Sequence, residues 1–140
     1  LVICILDRER HKDSLEVIRS TGARVKMIGD GDVSAVISSV INSSNIDMYY
    51  GIGGAPEGVL AAAALQCIGG SIEGKLLFNN DDEVMRAKKI GITDLDKIYS
   101  LKDLASGDIM FSATGVTDGT MLKGIKITKV ISKQNYYYLI

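Results

Sequence analysis

The run Leu1–Leu6, LVICIL, is apolar at every position and rich in β-branched residues. A strand with no polar alternation is suited to burial on both faces, as in a parallel sheet covered by helices on each side. The residues that follow repeat a pattern that serves such a sheet. Asp7-Arg8-Glu9-Arg10 comes next, and a helix is predicted from about Arg10 to Ser20, with Leu15 and Ile18 on its apolar face and Gly22 as its stop. Arg24–Ile28 reads as a second strand. Gly29-Asp30-Gly31-Asp32 then turns into a helix over about Val33–Asn42, with Asp32 in position to cap it. Ile46–Ile52 is a third strand. It is followed by a glycine-rich turn with Pro56 at a first helical position and an alanine-rich helix, Glu57–Cys67, closed by Gly69-Gly70. Further on, the sequence predicts a strand at Ser71–Phe78, a charged helix at Asp81–Lys89 ended by Gly91, and a short strand at Ile98-Tyr99. A short helix at Leu101–Ala105, a strand at Asp108–Ala113 and β-hairpin material in the tail Ile125–Ile140 complete the pattern. The expectation is a single α/β domain over residues 1–140, a mixed, partly parallel sheet flanked by helices.

The bulk properties narrow the partners. At 140 residues and 46% hydrophobic, the chain can bury one ordinary core. Its formal net charge is −1, and it has no lysine or arginine block, so neither a nucleic-acid surface nor an anionic membrane face has electrostatic support. A small molecule is the expected partner. Cys4 and Cys67 lie inside apolar runs, which fits free thiols in a reducing compartment better than a disulfide framework. Apolar runs fall far short of the roughly 18 to 20 residues that span a bilayer, and no secretory signal is seen, so a cytoplasmic location and no membrane partner are expected. The chain opens without methionine on one strand-like run and ends on another, Tyr136–Ile140. That is expected of a piece of a longer polypeptide, and a domain cut in this way would expose an apolar face suited to self-association into a homo-oligomer.

In open α/β sheets, ligands collect at the carboxyl ends of strands. Three unusual turns lie at such ends: Asp7–His11, Gly29–Asp32 and Gly53–Gly58. They are expected to gather at one sheet edge and form a single pocket. Arg8 and Arg10 are rigid forks of donors that match phosphate, although a solvated loop with internal pairs such as Asp7–Arg10 or Arg8–Glu9 explains them as well. Asp30 and Asp32 flank a glycine and suit sugar hydroxyls or a hard cation. Ordinary turn chemistry also accounts for them. In Gly51-Ile52-Gly53-Gly54-Ala55-Pro56-Glu57-Gly58 the glycines allow close approach to backbone, and Glu57 stands in a first helical turn where it suits the helix dipole or could ligate a cation. The spacing departs from G-x-G-x-x-G, which disfavours a dinucleotide site. Val116–Thr120 reads as a plain turn. His11, the single histidine, reads as a surface residue near the start of a helix, and no nucleophile motif accompanies it.

Asp7-Arg8-Glu9-Arg10-His11, Gly29-Asp30-Gly31-Asp32, the run YGIGGAPEG over Tyr50–Gly58, and FSATGVT over Phe111–Thr117 together resemble class II fructose-1,6-bisphosphatases, some of which also act on sedoheptulose 1,7-bisphosphate. The resemblance covers essentially the whole chain. It implies that Arg8, Glu9 and Arg10 form one substrate-contacting segment and Asp30, Gly31 and Asp32 a second that receives sugar hydroxyls. It further implies that Gly54 meets the substrate through its backbone, and that Glu57 ligates Mn²⁺ or Mg²⁺. It implies a gluconeogenic enzyme that hydrolyses the 1-phosphate of fructose 1,6-bisphosphate. The family's other metal-binding carboxylates and its water-activating segment lie in an N-terminal half that is absent from these residues. No catalytic residue is therefore assigned here, the missing half is an expected partner, and the fragment alone is expected to be inactive, since two-metal hydrolysis needs several carboxylates. A non-catalytic sugar-phosphate binding or regulatory module is the alternative.

Overall fold

The computed structural model describes residues 1–41, 44–127, 132–133 and 136–139, with backbone only from residue 127 onward. Three parallel strands, β1 (Val2–Leu6), β2 (Arg24–Ile28) and β3 (Met48–Tyr49), form a sheet in the order β2-β1-β3. The fully apolar run is thus the central strand. Its side chains alternate between two cores. Ile3 and Ile5 pack with Ile18 and Leu15 of helix α1 (Lys12–Ser20), while Cys4 packs with Ala35 of helix α2 (Asp32–Ser38) and with Ile46. β2 is an edge strand and alternates accordingly, Val25 being half-buried while Arg24 and Lys26 are exposed.

Helix α3 (Ala55–Ile68) joins α2 on the second face, where Ala61 and Leu65 bury against Val36. The small side chain of Ala61 lets the two helices approach, and Ala62 and Ala64 of α3 are buried as well. Outside this layer, β4 (Glu73–Lys75) pairs antiparallel with β5 (Ile98–Ser100), separated in sequence by helix α4 (Asp81–Lys89). α4 has the predicted bounds, with the Asn80 side chain accepting the Glu83 N–H at its start. A capping box between Ser100 and Asp103 starts the short helix α5 (Leu101–Leu104).

Several predicted bounds move, each for a visible reason. The first helix is preceded by a 3₁₀ turn, Glu9–His11. α2 begins on Asp32, and its N-cap is Gly31 at φ 86°, a left-handed conformation that favours glycine, so Asp32 is a first-turn residue and not the cap. Pro56 is the second residue of α3. β3 shrinks to two residues because the chain leaves the β1 ladder after the Tyr50 N–H donates to the Cys4 carbonyl, 2.9 Å. The tail is not one hairpin. β6 (Phe111–Thr114) pairs antiparallel with β9 (Tyr136–Leu139), and β7 (Lys126–Ile127) pairs with β8 (Ser132–Lys133). Asn42 and, within the predicted tail, residues 128–131, 134–135 and 140 lie outside the described residues. Cys4 and Cys67 are free thiols, and burial pushes the Cys4 thiol up. Among the described residues no helix is long and apolar enough to cross a membrane.

Tyr49 ends β3 with its ring packed against both the Cys4–Ala35 and the Val36–Ala61 clusters. Burial, reinforced by the negative charges of Asp32 and Cys4 and opposed by Arg10, raises its phenol from the ordinary 10.0 to about 12.

Two predictions follow from this core. Ile5 is fully buried, so Ile5→Ala should cost about 2–5 kcal/mol in urea unfolding, whereas Val17→Ala on the exposed face of α1 should change stability by no more than about 0.5 kcal/mol. Equal losses in the two variants would remove Ile5 from the core. For Tyr49, the folded state holds the proton more tightly than the unfolded state. Its contribution is therefore complete below pH 10 and is lost as pH rises from 10 towards 12. The alkaline loss of stability should be smaller in Tyr49→Phe than in the wild type, and parallel pH profiles would refute the assignment.

Candidate functional site

The order β2-β1-β3 makes β1 and β3 neighbours whose following helices, α1 and α3, pack on opposite faces of the sheet. The backbone parts at their carboxyl ends, and such a switch point is where an open parallel sheet binds ligands. The three turns singled out in the sequence all emerge at this edge: Arg8–Arg10 after β1, Gly29–Asp32 after β2, and Gly53–Glu57 between β3 and α3.

The turns after β1 and β3 are tied by hydrogen bonds across the parting. Arg10 Nε donates to the Ile52 carbonyl at 2.7 Å, and the Ile52 N–H donates to His11 Nε2 at 2.8 Å. His11 Nδ1 lies 2.8 Å from the Leu6 carbonyl at the end of β1. Since Nε2 accepts, Nδ1 carries the hydrogen and donates to Leu6, and the 3.2 Å approach of Nε2 to the Ile52 oxygen is a contact without a proton. His11 is therefore not a surface residue. Only 2% of it is exposed, the reverse of what its place between charged neighbours suggests.

The arginines keep their charge available. Arg8 Nη1 donates only to the adjacent Asp7 carbonyl, 2.9 Å, and the ion pair of this loop is Glu9 with Lys12, 2.6 Å. Neither Asp7–Arg10 nor Arg8–Glu9 forms an ion pair among the described residues. On the next turn, Asp30 Oδ1 accepts from the Gly31 N–H at 2.8 Å and Asp32 Oδ1 from the Val33 N–H at 2.9 Å. The second Asp32 oxygen lies 3.5 Å from where a Cβ on Gly53 would stand, so the acidic turn and the glycine turn approach each other over the end of β1. Gly54 is the N-cap of α3, and a Cβ there would collide with the Glu57 carboxylate, which folds back over it. The absent side chain is what allows this conformation.

The edge is open, with Arg8, Arg10, Asp30, Gly54 and Glu57 exposed. A hollow of about 260 Å³ beside Arg8 is lined by Leu6, Asp7, Glu9, His11, Lys12 and Met27, without Asp30, Asp32 or Glu57. The three segments thus share an edge, but they do not enclose one pocket. Among the described residues no group of three or more His, Cys, Asp or Glu side chains is placed to hold a metal ion. Two residues of this edge escape a reading by motif. His11 is hidden by its charged neighbours. Tyr49, between Asp32 and Arg10, is marked only by its position at the end of a strand.

Residues 1–135 match the family described as bacterial fructose-1,6-bisphosphatase, glpX-encoded. A protein of Microcystis aeruginosa named D-fructose 1,6-bisphosphatase class 2/sedoheptulose 1,7-bisphosphatase is 41% identical over 139 residues, which are 90% of this chain and 40% of that protein. A protein of the same name from Synechococcus elongatus is 40% identical over 142 residues, 92% of this chain and 41% of its own length. The chain therefore spans about two fifths of the length of these relatives. Neither the match nor the geometry rests on one motif alone, and the chain belongs to the bacterial, glpX-encoded fructose-1,6-bisphosphatase family.

Proposed function

We propose that this chain supplies the sugar-phosphate side of the active site of a phosphatase that removes the 1-phosphate of fructose 1,6-bisphosphate. The observation that carries this reading is the convergence of the Arg8–Arg10, Asp30–Asp32 and Gly53–Glu57 segments at the switch point of one parallel sheet. Arg8 and Arg10, which among the described residues form no ion pair with a carboxylate, suit phosphate, because a guanidinium offers two parallel donors to an oxyanion and stays charged. Exposed carboxylates on the flanking turns accept from sugar hydroxyls.

Glu57 fits a role as one hard oxygen donor to Mn²⁺ or Mg²⁺. It is exposed at the first turn of α3, where the absence of a side chain on Gly54 leaves room for its carboxylate. The described residues do not fit a complete site, since six or more oxygens surround such a cation and no cluster of candidate ligands is present. When bound, the cation would screen phosphate charge and polarise the phosphoryl group. The remaining donors, and the group that activates water, come on this reading from a part of the enzyme outside these residues, and the chain alone has no turnover. The free thiols of Cys4 and Cys67 favour the cytoplasm.

Calorimetric titration with fructose 1,6-bisphosphate tests the reading. Arg8→Ala should weaken binding by about tenfold or more, the loss of a charge-assisted hydrogen bond of roughly 1.5–3 kcal/mol. Glu57→Ala should leave metal-free affinity nearly unchanged while abolishing the gain produced by Mn²⁺. An Mn²⁺ effect that survives Glu57→Ala would favour a binding module without catalysis. Release of phosphate by the chain alone at an enzyme-like rate would overturn the division of labour.

A further inference from the structure

Burying an imidazole is costly unless both nitrogens are satisfied. His11 meets that condition through groups that belong to different strands, the Leu6 carbonyl at the end of β1 and the Ile52 N–H just beyond β3. These two backbones part toward opposite faces of the sheet, so the ring spans the crevice that the topology opens. The backbone of Ile52 is then held on both sides of its Cα. Its N–H is given to His11, and its carbonyl receives Arg10 Nε. That contact uses the inner donor of the guanidinium, and among the described residues the outer nitrogens, Nη1 and Nη2, have no hydrogen-bond partner in the protein. The Gly53–Glu57 turn begins at the next residue, and its glycines supply no side-chain packing to fix its position.

We infer that His11, in its Nδ1–H tautomer, is the positioning residue of this edge: by clamping the Ile52 backbone to the end of β1 it sets the Arg10 fork and the glycine turn in one anion-binding geometry. On this inference the ring acts through Ile52. The ligand class, a phosphate monoester, rests on the function proposed above, whereas the clamp itself does not.

Two amides separate positioning from mere core filling. In His11→Gln the side-chain oxygen reaches the place of Nε2 and can still accept from Ile52. In His11→Asn the amide reaches only the place of Nδ1 and keeps the Leu6 bond. Both bury one amide of similar cost, so a packing role would weaken both alike. Titrated with inorganic phosphate and with fructose 1,6-bisphosphate, the Gln variant should stay within about threefold of wild-type affinity while the Asn variant falls by about tenfold or more. Slowed exchange of the Ile52 amide should be kept in Gln and lost in Asn. Equal affinities in the two variants, or equal exchange, would overturn the inference. Should the Asn variant fail to fold, the wild-type ring decides by nitrogen resonance: Nε2 must carry the lone pair and couple to the Ile52 amide, and a hydrogen on Nε2 refutes the clamp. Absence of any phosphate binding by the wild type, with the Ile52 coupling intact, would sink the proposed function and the anion-binding role while leaving the clamp as a bare structural fact.

Discussion

Everything in the described fold depends on burying β1 on both faces. Its backbone is paired on either side, with β2 along its whole length and with β3 at Ile3 and Cys4. Its side chains feed one core beneath α1 and another beneath α2. A strand enclosed in this way has no room for polar groups along its length, since each would be stranded without water. Polar chemistry can begin only where the strand ends, and there it begins at once, with Asp7, Arg8, Glu9 and Arg10. The same enclosure makes the neighbouring connections leave toward opposite faces, which opens the crevice that His11 fills.

The sequence made much of this legible where the cause is local. β1, β2 and α4 were readable because apolar continuity, edge alternation and a capped, charged helix are written in adjacent residues. The retreat of β3 from Ile46–Ile52 to Met48–Tyr49 was not, because Ile52 gives its N–H to a side chain 41 residues earlier instead of to the ladder. His11 was misread for the same reason. Its burial is decided by two backbone groups brought together by topology, and nothing in the neighbouring residues announces them. Pairing of the terminal tyrosines with Phe111–Thr114 is likewise a long-range choice that periodicity cannot make.

The candidate site shows a similar division. Residue types and turn chemistry pointed to Arg8, Arg10, Asp30, Asp32 and Glu57, and strand order brings their turns to one edge. What the residues could not convey is how open that edge is. Whether turns enclose a pocket depends on what covers them, and here the hollow beside Arg8 is walled by the β1 turn, the start of α1 and Met27 of β2, without the acidic or the glycine turn.

The strand order also has an electrostatic consequence. β1 stands between the other two strands, so its arginines emerge between the acidic turn after β2 and the Glu57 turn after β3. Positive forks flanked by carboxylates do not make a general anion trap, because a phosphate placed on either flank meets like charge at close range. On the proposed reading the ligand must therefore alternate as the edge does. Phosphate oxygens belong on the arginines, hydroxyls on Asp30 and Asp32, and a phosphate can approach Glu57 only with a cation between the two charges. A sugar bisphosphate has that alternation along one chain, with its hydroxyls between two separate phosphates, whereas a dinucleotide joins its two phosphates and carries its hydroxyls only outside the pair.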